Sequence, residues 1–397
     1  LFVLLTFGAC ARVDHETVFD PYDGGDAFPV TQPSLMTPKA RLALVPNGGA
    51  DTTSVVDLSG GKVRGQVPVG RSPLVVDGPH QIVADEAHGV AWVVLSYPAS
   101  SAAAGQHTHG TSVRAGWVQR LSLTDLRPTG EIIVSANPGE IAVSQDGSRV
   151  VVSHFDLVAA AKGQDLISKR ATLGLIDPST VLPFGTPQAD ELLVCVAPHG
   201  LELSRPDGAT AYVACYGEDA VGVVNLVDTH APVVLVPIAG SVGPPGSPLL
   251  GPYGLALSPD GKRLAIANKE SHDVRVMDTV GRKMESFVAP LMGSALFPAW
   301  SRDGTRIFVP TQAKDTLTVL DAATGAVLLA HAFEPATCIA PLDASLSPTE
   351  DSLTLVCEGN ATTPGAMVVL DPKTLDVRAR LPLQAFPGRP AYVGASQ

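Results

Sequence analysis

The chain has 397 residues, 45% of them hydrophobic and 17% charged, with 38 glycines and 34 prolines. That is ample apolar material for a large core, and the Gly and Pro content points to many turns rather than long helices. A formal net charge of −12, with no run of Lys or Arg, excludes a protein that tracks nucleic-acid phosphates.

In chain order, LFVLLTFGAC (Leu1–Cys10) comes first: apolar, too short to cross a bilayer, and ending in small residues ahead of a cysteine. It resembles the end of a bacterial lipoprotein signal, with Phe7 where leucine is usual. The resemblance implies cleavage before Cys10 and lipidation of that residue. It also implies an exported protein in the periplasm or at the cell surface, held to a bacterial membrane by the lipid. Residues 11–40 are polar, Pro-rich and aperiodic, and read as a disordered tether. The acidic DPYDGGD within it lacks the spacing of an EF-hand loop and reads as solvated linker.

From Arg41 onward the sequence repeats. VSQDGSRVVVSH, LSRPDGATAYVACY, LSPDGKRLAIAN, WSRDGTRIFVPT and LSPTEDSLTLVCE each join two short apolar strands through a tight turn, and VADEAHGVAWVVLS is a looser copy. Pro presets the first turn position, Asp bonds to nearby backbone, and Gly accepts positive φ. After each copy an apolar strand runs into a second turn, as in TLGLIDPSTV, LTVLDAATGAV and MVVLDPKTLDV. The unit is four antiparallel strands at a period of roughly 45–60 residues, which is that of a propeller blade. Six units are complete. The fragment before them (Arg41–Val69) lacks a first strand, and GRPAYVGAS at the end is a strand without followers. Pairing the two closes the ring and removes its open edges. The expected fold is therefore all-β: one seven-bladed β-propeller of four-stranded antiparallel blades over residues 41–397, closed by the C-terminal strand joining the N-terminal blade.

The units GPYGLALSPDGKRLAIANKESHDVRVMDT and APHGLELSRPDGATAYVACYGEDAVGVVNL resemble the YVTN-family β-propeller repeat, and the likeness runs over nearly everything from Arg41. It implies the fold and leaves the activity open, because lactonase-like enzymes and surface-layer and adhesion proteins share it.

Four cysteines follow Cys10. Cys195 precedes the inner strand of one blade and Cys215 ends its second strand; Cys338 and Cys357 hold nearly the same places in a later one. A pair recurring at equivalent repeat positions suits a disulfide, and an oxidising compartment permits it. Cys195–Cys215 and Cys338–Cys357 are the expected bonds. Neither CxxC nor CxxCH occurs, which excludes covalent haem.

In such a ring, the entries to the inner strands and the links between second and third strands share one face. His80 and His199 occupy matching entry positions, and Tyr253 matches them in a third blade. His154 ends a second strand. The insertion Ala99–Gly116 brings His107 and His109, and Glu140, Glu218 and Asp219 fall on the same face. A second insertion, Ser153–Thr172, is expected to form a short helix over the channel mouth. Five histidines on one face make a metal candidate, copper or another transition metal, because neutral imidazole ligates Cu, Zn, Fe and Ni. The sequence supports best a ligand- or protein-binding module acting through this face, monomeric and without nucleic-acid partners. One alternative is a metal-dependent oxidoreductase using His80, His107, His109, His154 and His199. Another is a lactonase-like hydrolase with His80, His199 and Glu140 as acid–base groups. No P-loop and no GxSxG elbow is present.

Overall fold

The computed structural model describes residues 35–37, 40–71, 76–97, 110–182, 187–241, 243–347, 349–360 and 362–394. Cys10 and most of the tether lie outside these residues. Among those described, no helix is long and apolar enough to cross a membrane.

The hairpin turns explain why the blades form. In three of them a serine hydroxyl accepts the backbone N–H five residues on, from Arg149 to Ser144, Arg263 to Ser258 and Arg306 to Ser301 (2.9–3.0 Å). The same hydroxyl donates to the aspartate two residues on, Asp146, Asp260 or Asp303 (2.6–2.7 Å). The glycine that follows takes φ of +66°, +71° or +69°, which a Cβ would strain. These bonds hold the carboxyls of Asp146 and Asp303 down at about 2. Each turn thus launches two strands whose alternating apolar side chains bury between neighbouring sheets.

Seven antiparallel sheets result, six of four strands and one, blade 5, whose outermost position is shared by two short strands, Lys283–Met284 and Ala289–Pro290, both paired with Asp273–Asp278. Their first strands are Ala391–Val393, Pro79–Asp85, Pro138–Val143, Pro198–Leu203, Pro252–Leu257, Ala299–Trp300 and Pro341–Leu346 for blades 1 to 7. Closure is as the sequence predicts. Ala391–Val393 pairs antiparallel with Leu42–Asn47, with Leu42 opposite Val393 and Leu44 opposite Ala391. Just before blade 1, Leu35 is buried, and Arg64 donates to its carbonyl (3.1 Å), so the end of the tether segment rests on the propeller.

Both disulfides form as expected, with Cα separations of 5.8 Å for Cys195–Cys215 and 5.4 Å for Cys338–Cys357. Cys195 sits in the outermost strand of blade 3 (Asp190–Val196) and bonds to the end of the second strand of blade 4, whereas Cys338 stands just ahead of the inner strand Pro341–Leu346 and bonds to the end of its blade's second strand. Replacing Cys338 and Cys357 by alanine is expected to cost about 2–4 kcal/mol in chemical denaturation, by releasing a closed loop in the unfolded chain. No loss would mean that blade packing alone sets the stability.

Between the second and third strands of blade 3 stand two short helices, α1 (Leu157–Lys162) and α2 (Leu166–Lys169), rather than one. Asp156 caps α1 through the Ala159 N–H and Asp165 caps α2 through the Ser168 N–H, both at 2.8 Å. Gly163 ends α1 and separates the two. Ala160 of α1 packs in one apolar cluster with Phe155, Tyr253 and Phe297, so the insertion covers the channel mouth.

Candidate functional site

Every inner strand enters at the mouth, and the entry positions differ from blade to blade. Blades 2, 3 and 4 bring His80, Glu140 and His199 together: one ligand-type atom from each lies within 4.8 Å of the others. His80 Nε2 stands 3.9 Å from Glu140 Oε1. Glu140 and His199 have no exposed surface, whereas the His80 side chain keeps 10% of its own and is the member nearest solvent.

The framework fixes each group. Ser153 Oγ accepts the Glu140 backbone N–H (3.0 Å) and donates to the His199 carbonyl (2.5 Å), stitching blades 3 and 4 together. His199 lies stacked on Tyr253, centroids 3.7 Å apart, with Phe155 edge-on at 4.7 Å. Its Nδ1 is 3.2 Å from the Tyr253 carbonyl. That carbonyl can only accept, so Nδ1 carries the hydrogen and Nε2 is left as the basic nitrogen.

Two charged residues to which the sequence reading assigns no role complete the cluster. Arg389, at the entry to the closing strand, pairs with Glu140 Oε2 and donates through Nε to Asp343 Oδ1 (3.0 Å). Its guanidinium lies 4.3 Å from the centroid of Phe297. Burial pushes the Glu140 carboxyl up to about 7, although the Arg389 charge beside it acts the other way. The Asp343 carboxyl is likewise raised by burial against the pull of Arg389. Glu140 Oε1 has no hydrogen-bond partner among the described residues. It is aimed at His80.

Other predicted residues lie elsewhere. His154 does not join the cluster, because side chains alternate along a strand and Ser153 takes the inward place. The imidazole turns to the far side, where Nδ1 lies 2.9 Å from the Thr172 carbonyl. Burial lowers its pKa to about 4, with the nearby Glu191 charge opposing. Glu218 accepts the Val196 N–H (2.9 Å) and an Arg170 Nη2 (3.1 Å), while Asp219 accepts the N–H groups of Leu249, Leu250 and Gly251. Both hold loop backbone. Tyr253 is fully buried beneath Lys269, whose Nζ is 4.6 Å from the ring centroid. His107 and His109 lie outside the described residues.

The state of His154 has a measurable consequence. Its folded pKa is below the unfolded value, so from about pH 6.5 down to about 4 the unfolded chain binds a proton that the folded chain refuses. Stability is therefore expected to fall with pH through that window, by about 2–4 kcal/mol from this residue. Denaturant unfolding of wild type and His154→Gln at several pH values checks it: the variant's slope should be shallower. Parallel slopes would show that His154 titrates normally.

No family model matches the chain, and no curated protein matches it. Solved structures do match in shape. A periplasmic gluconolactonase of Pseudomonas aeruginosa superposes with a TM-score of 0.65 at 16% identity, over 89% of this chain and 99% of that one. A putative 6-phosphogluconolactonase of Bacteroides uniformis gives 0.62 at 14% identity, over 89% and 100%. The dihydro-heme d1 dehydrogenase NirN, solved in complex with DHE, gives 0.57 at 18% identity, over 90% and 76%. At these identities the likeness is one of fold, and this chain has the seven-bladed β-propeller fold of lactonase-like proteins.

Proposed function

We propose that the chain is a cell-envelope lipoprotein, anchored through Cys10, whose propeller binds a small-molecule or protein ligand through its channel-mouth face. The observation that carries the binding role is the buried gathering of His80, Glu140 and His199 beside Arg389 and Asp343. Removing ionisable groups from water costs several kcal/mol apiece, and a well-packed apolar mouth would be at least as stable. The turns on the opposite face are copies that serve shape, whereas the mouth is where the blades differ. Support for export comes from the resemblance of Leu1–Cys10 to a lipoprotein signal and from two disulfides, which persist in oxidising compartments.

Two measurements test the reading. In a bacterial host, radiolabelled palmitate is expected to enter the full chain and to be lost in Cys10→Ala; equal labelling would overturn the anchor. For binding, amide hydrogen exchange of the soluble form is compared with and without the small-molecule fraction of an envelope extract. Protection is expected at the amides of 80–82, 139–141 and 199–201. Protection confined to the opposite turns would move the site. Lactone hydrolysis by wild type, abolished in Glu140→Gln, would replace the binding reading with the hydrolytic one.

A further inference from the structure

We propose that His80, Glu140 and His199 bind one divalent transition-metal ion of the zinc or copper type, an inference that rests on the channel mouth being the functional face. The donor set is two imidazoles and one carboxylate, which suits borderline ions and is too rich in nitrogen for Ca²⁺ or Mg²⁺. All three donor atoms lie within 4.8 Å of one another. Ligands at about 2.0–2.1 Å from a tetrahedral ion stand about 3.3 Å apart, so the side chains close by about 1 Å or less on binding in the tighter pair and by somewhat more in the wider. His80 retains exposure and is the member able to make that adjustment, while His199 is clamped by Tyr253 and Phe155.

The surroundings are those of a metal site as well. A ligating histidine characteristically donates its other N–H to a carbonyl or carboxylate, which fixes the tautomer and aims the basic nitrogen. The contact of His199 Nδ1 with the Tyr253 carbonyl does this. Ligating carboxylates are in turn hydrogen-bonded, and Arg389 holds Glu140 by Oε2, leaving Oε1 pointed at His80 with no hydrogen bond of its own among the described residues. Asp343 neutralises Arg389 from the other side (3.0 Å), so the guanidinium does not leave the cluster with an excess positive charge. Three protein ligands leave a fourth position for water or a ligand, on the side where His80 meets solvent.

The test uses the soluble full propeller, stripped with chelator and dialysed, then titrated with Zn²⁺ and with Cu²⁺ by calorimetry and metal analysis. One ion per chain is expected. Cu²⁺ electron paramagnetic resonance should show coupling to two imidazole nitrogens. His199→Ala and Glu140→Gln should each weaken binding at least about 100-fold, judged on protein whose circular dichroism matches wild type, while the exposed His230→Ala changes nothing. Should either variant fail to fold, the His107→Ala/His109→Ala double variant decides: one ion with the two-nitrogen coupling retained there supports the site, and its loss overturns the proposal. No stoichiometric metal on the wild type overturns the proposal. So does metal that survives His199→Ala and is lost in the His107→Ala/His109→Ala double variant. The hydrogen-exchange footprint with envelope extract is independent of added metal: mouth protection without metal uptake sinks the metal site and leaves the binding role standing.

Discussion

Replacing Arg389 by methionine is expected to destabilise the propeller by about 3–5 kcal/mol, as read from chemical denaturation in chelator-containing buffer. The guanidinium is held by Glu140 and Asp343, whose carboxylates are both buried. Without it, two acids remain in a low-dielectric pocket with no counter-charge. The loss is the cost of those unpaired groups rather than the worth of the ion pairs themselves. A triple variant, Arg389→Met with Glu140→Gln and Asp343→Asn, should therefore regain most of the deficit. If Arg389→Met costs under about 1 kcal/mol, or the triple variant is no better, the buried network is not what the geometry indicates.

The second large effect concerns closure. Ending the chain at Pro390 removes Ala391–Val393 while keeping Arg389, and strips Leu42–Asn47 of its inner neighbour. An open strand edge and a gap in the ring result. Tm is expected to drop by about 10 °C or more, with association of the exposed edges. Gly394 lies against the Ala40 carbonyl, so the removed strand can be returned from the other side. A chain that starts with residues 388–394, joined by a short linker to Ala40 and ending at Pro387, should recover the stability. Failure of that permuted chain alongside a stable truncation would show that closure contributes little.

Most of the architecture can be read from the repeat, because the turn chemistry recurs with the same serine and aspartate, and each copy dictates two strands. The closing strand is legible because a lone strand and an incomplete blade complement each other. The disulfides are legible because equivalent positions in equivalent blades share geometry. The site is half legible. His80 and His199 stand at matching entries, and the same reasoning places Glu140 on that face. His154 departs from the expected cluster because its direction depends on the parity of one strand, and a register error of one residue reverses every side chain. Arg389 and Asp343 escape the sequence reading although a signal exists: GRP and APLD stand at the same inner-strand entries as GPH and APHG. Arginine does not look like a ligand, and one aspartate among many carries no signal of its own. Their role follows only from contact with Glu140, across blades far apart in sequence. The splitting of the blade 3 insertion into α1 and α2 rests on Gly163 and on the Asp165 cap, both visible in the sequence.

The proposed metal site gathers the unusual chemistry of this propeller at His80, Glu140 and His199 in the channel mouth. Anomalous diffraction from Zn²⁺-loaded crystals, recorded above and below the zinc edge, locates the ion. One strong peak is expected at about 2.0–2.2 Å from His80 Nε2, Glu140 Oε1 and His199 Nε2. Zinc bound elsewhere on the chain, or no ordered zinc with the three side chains well resolved, would contradict the proposed site.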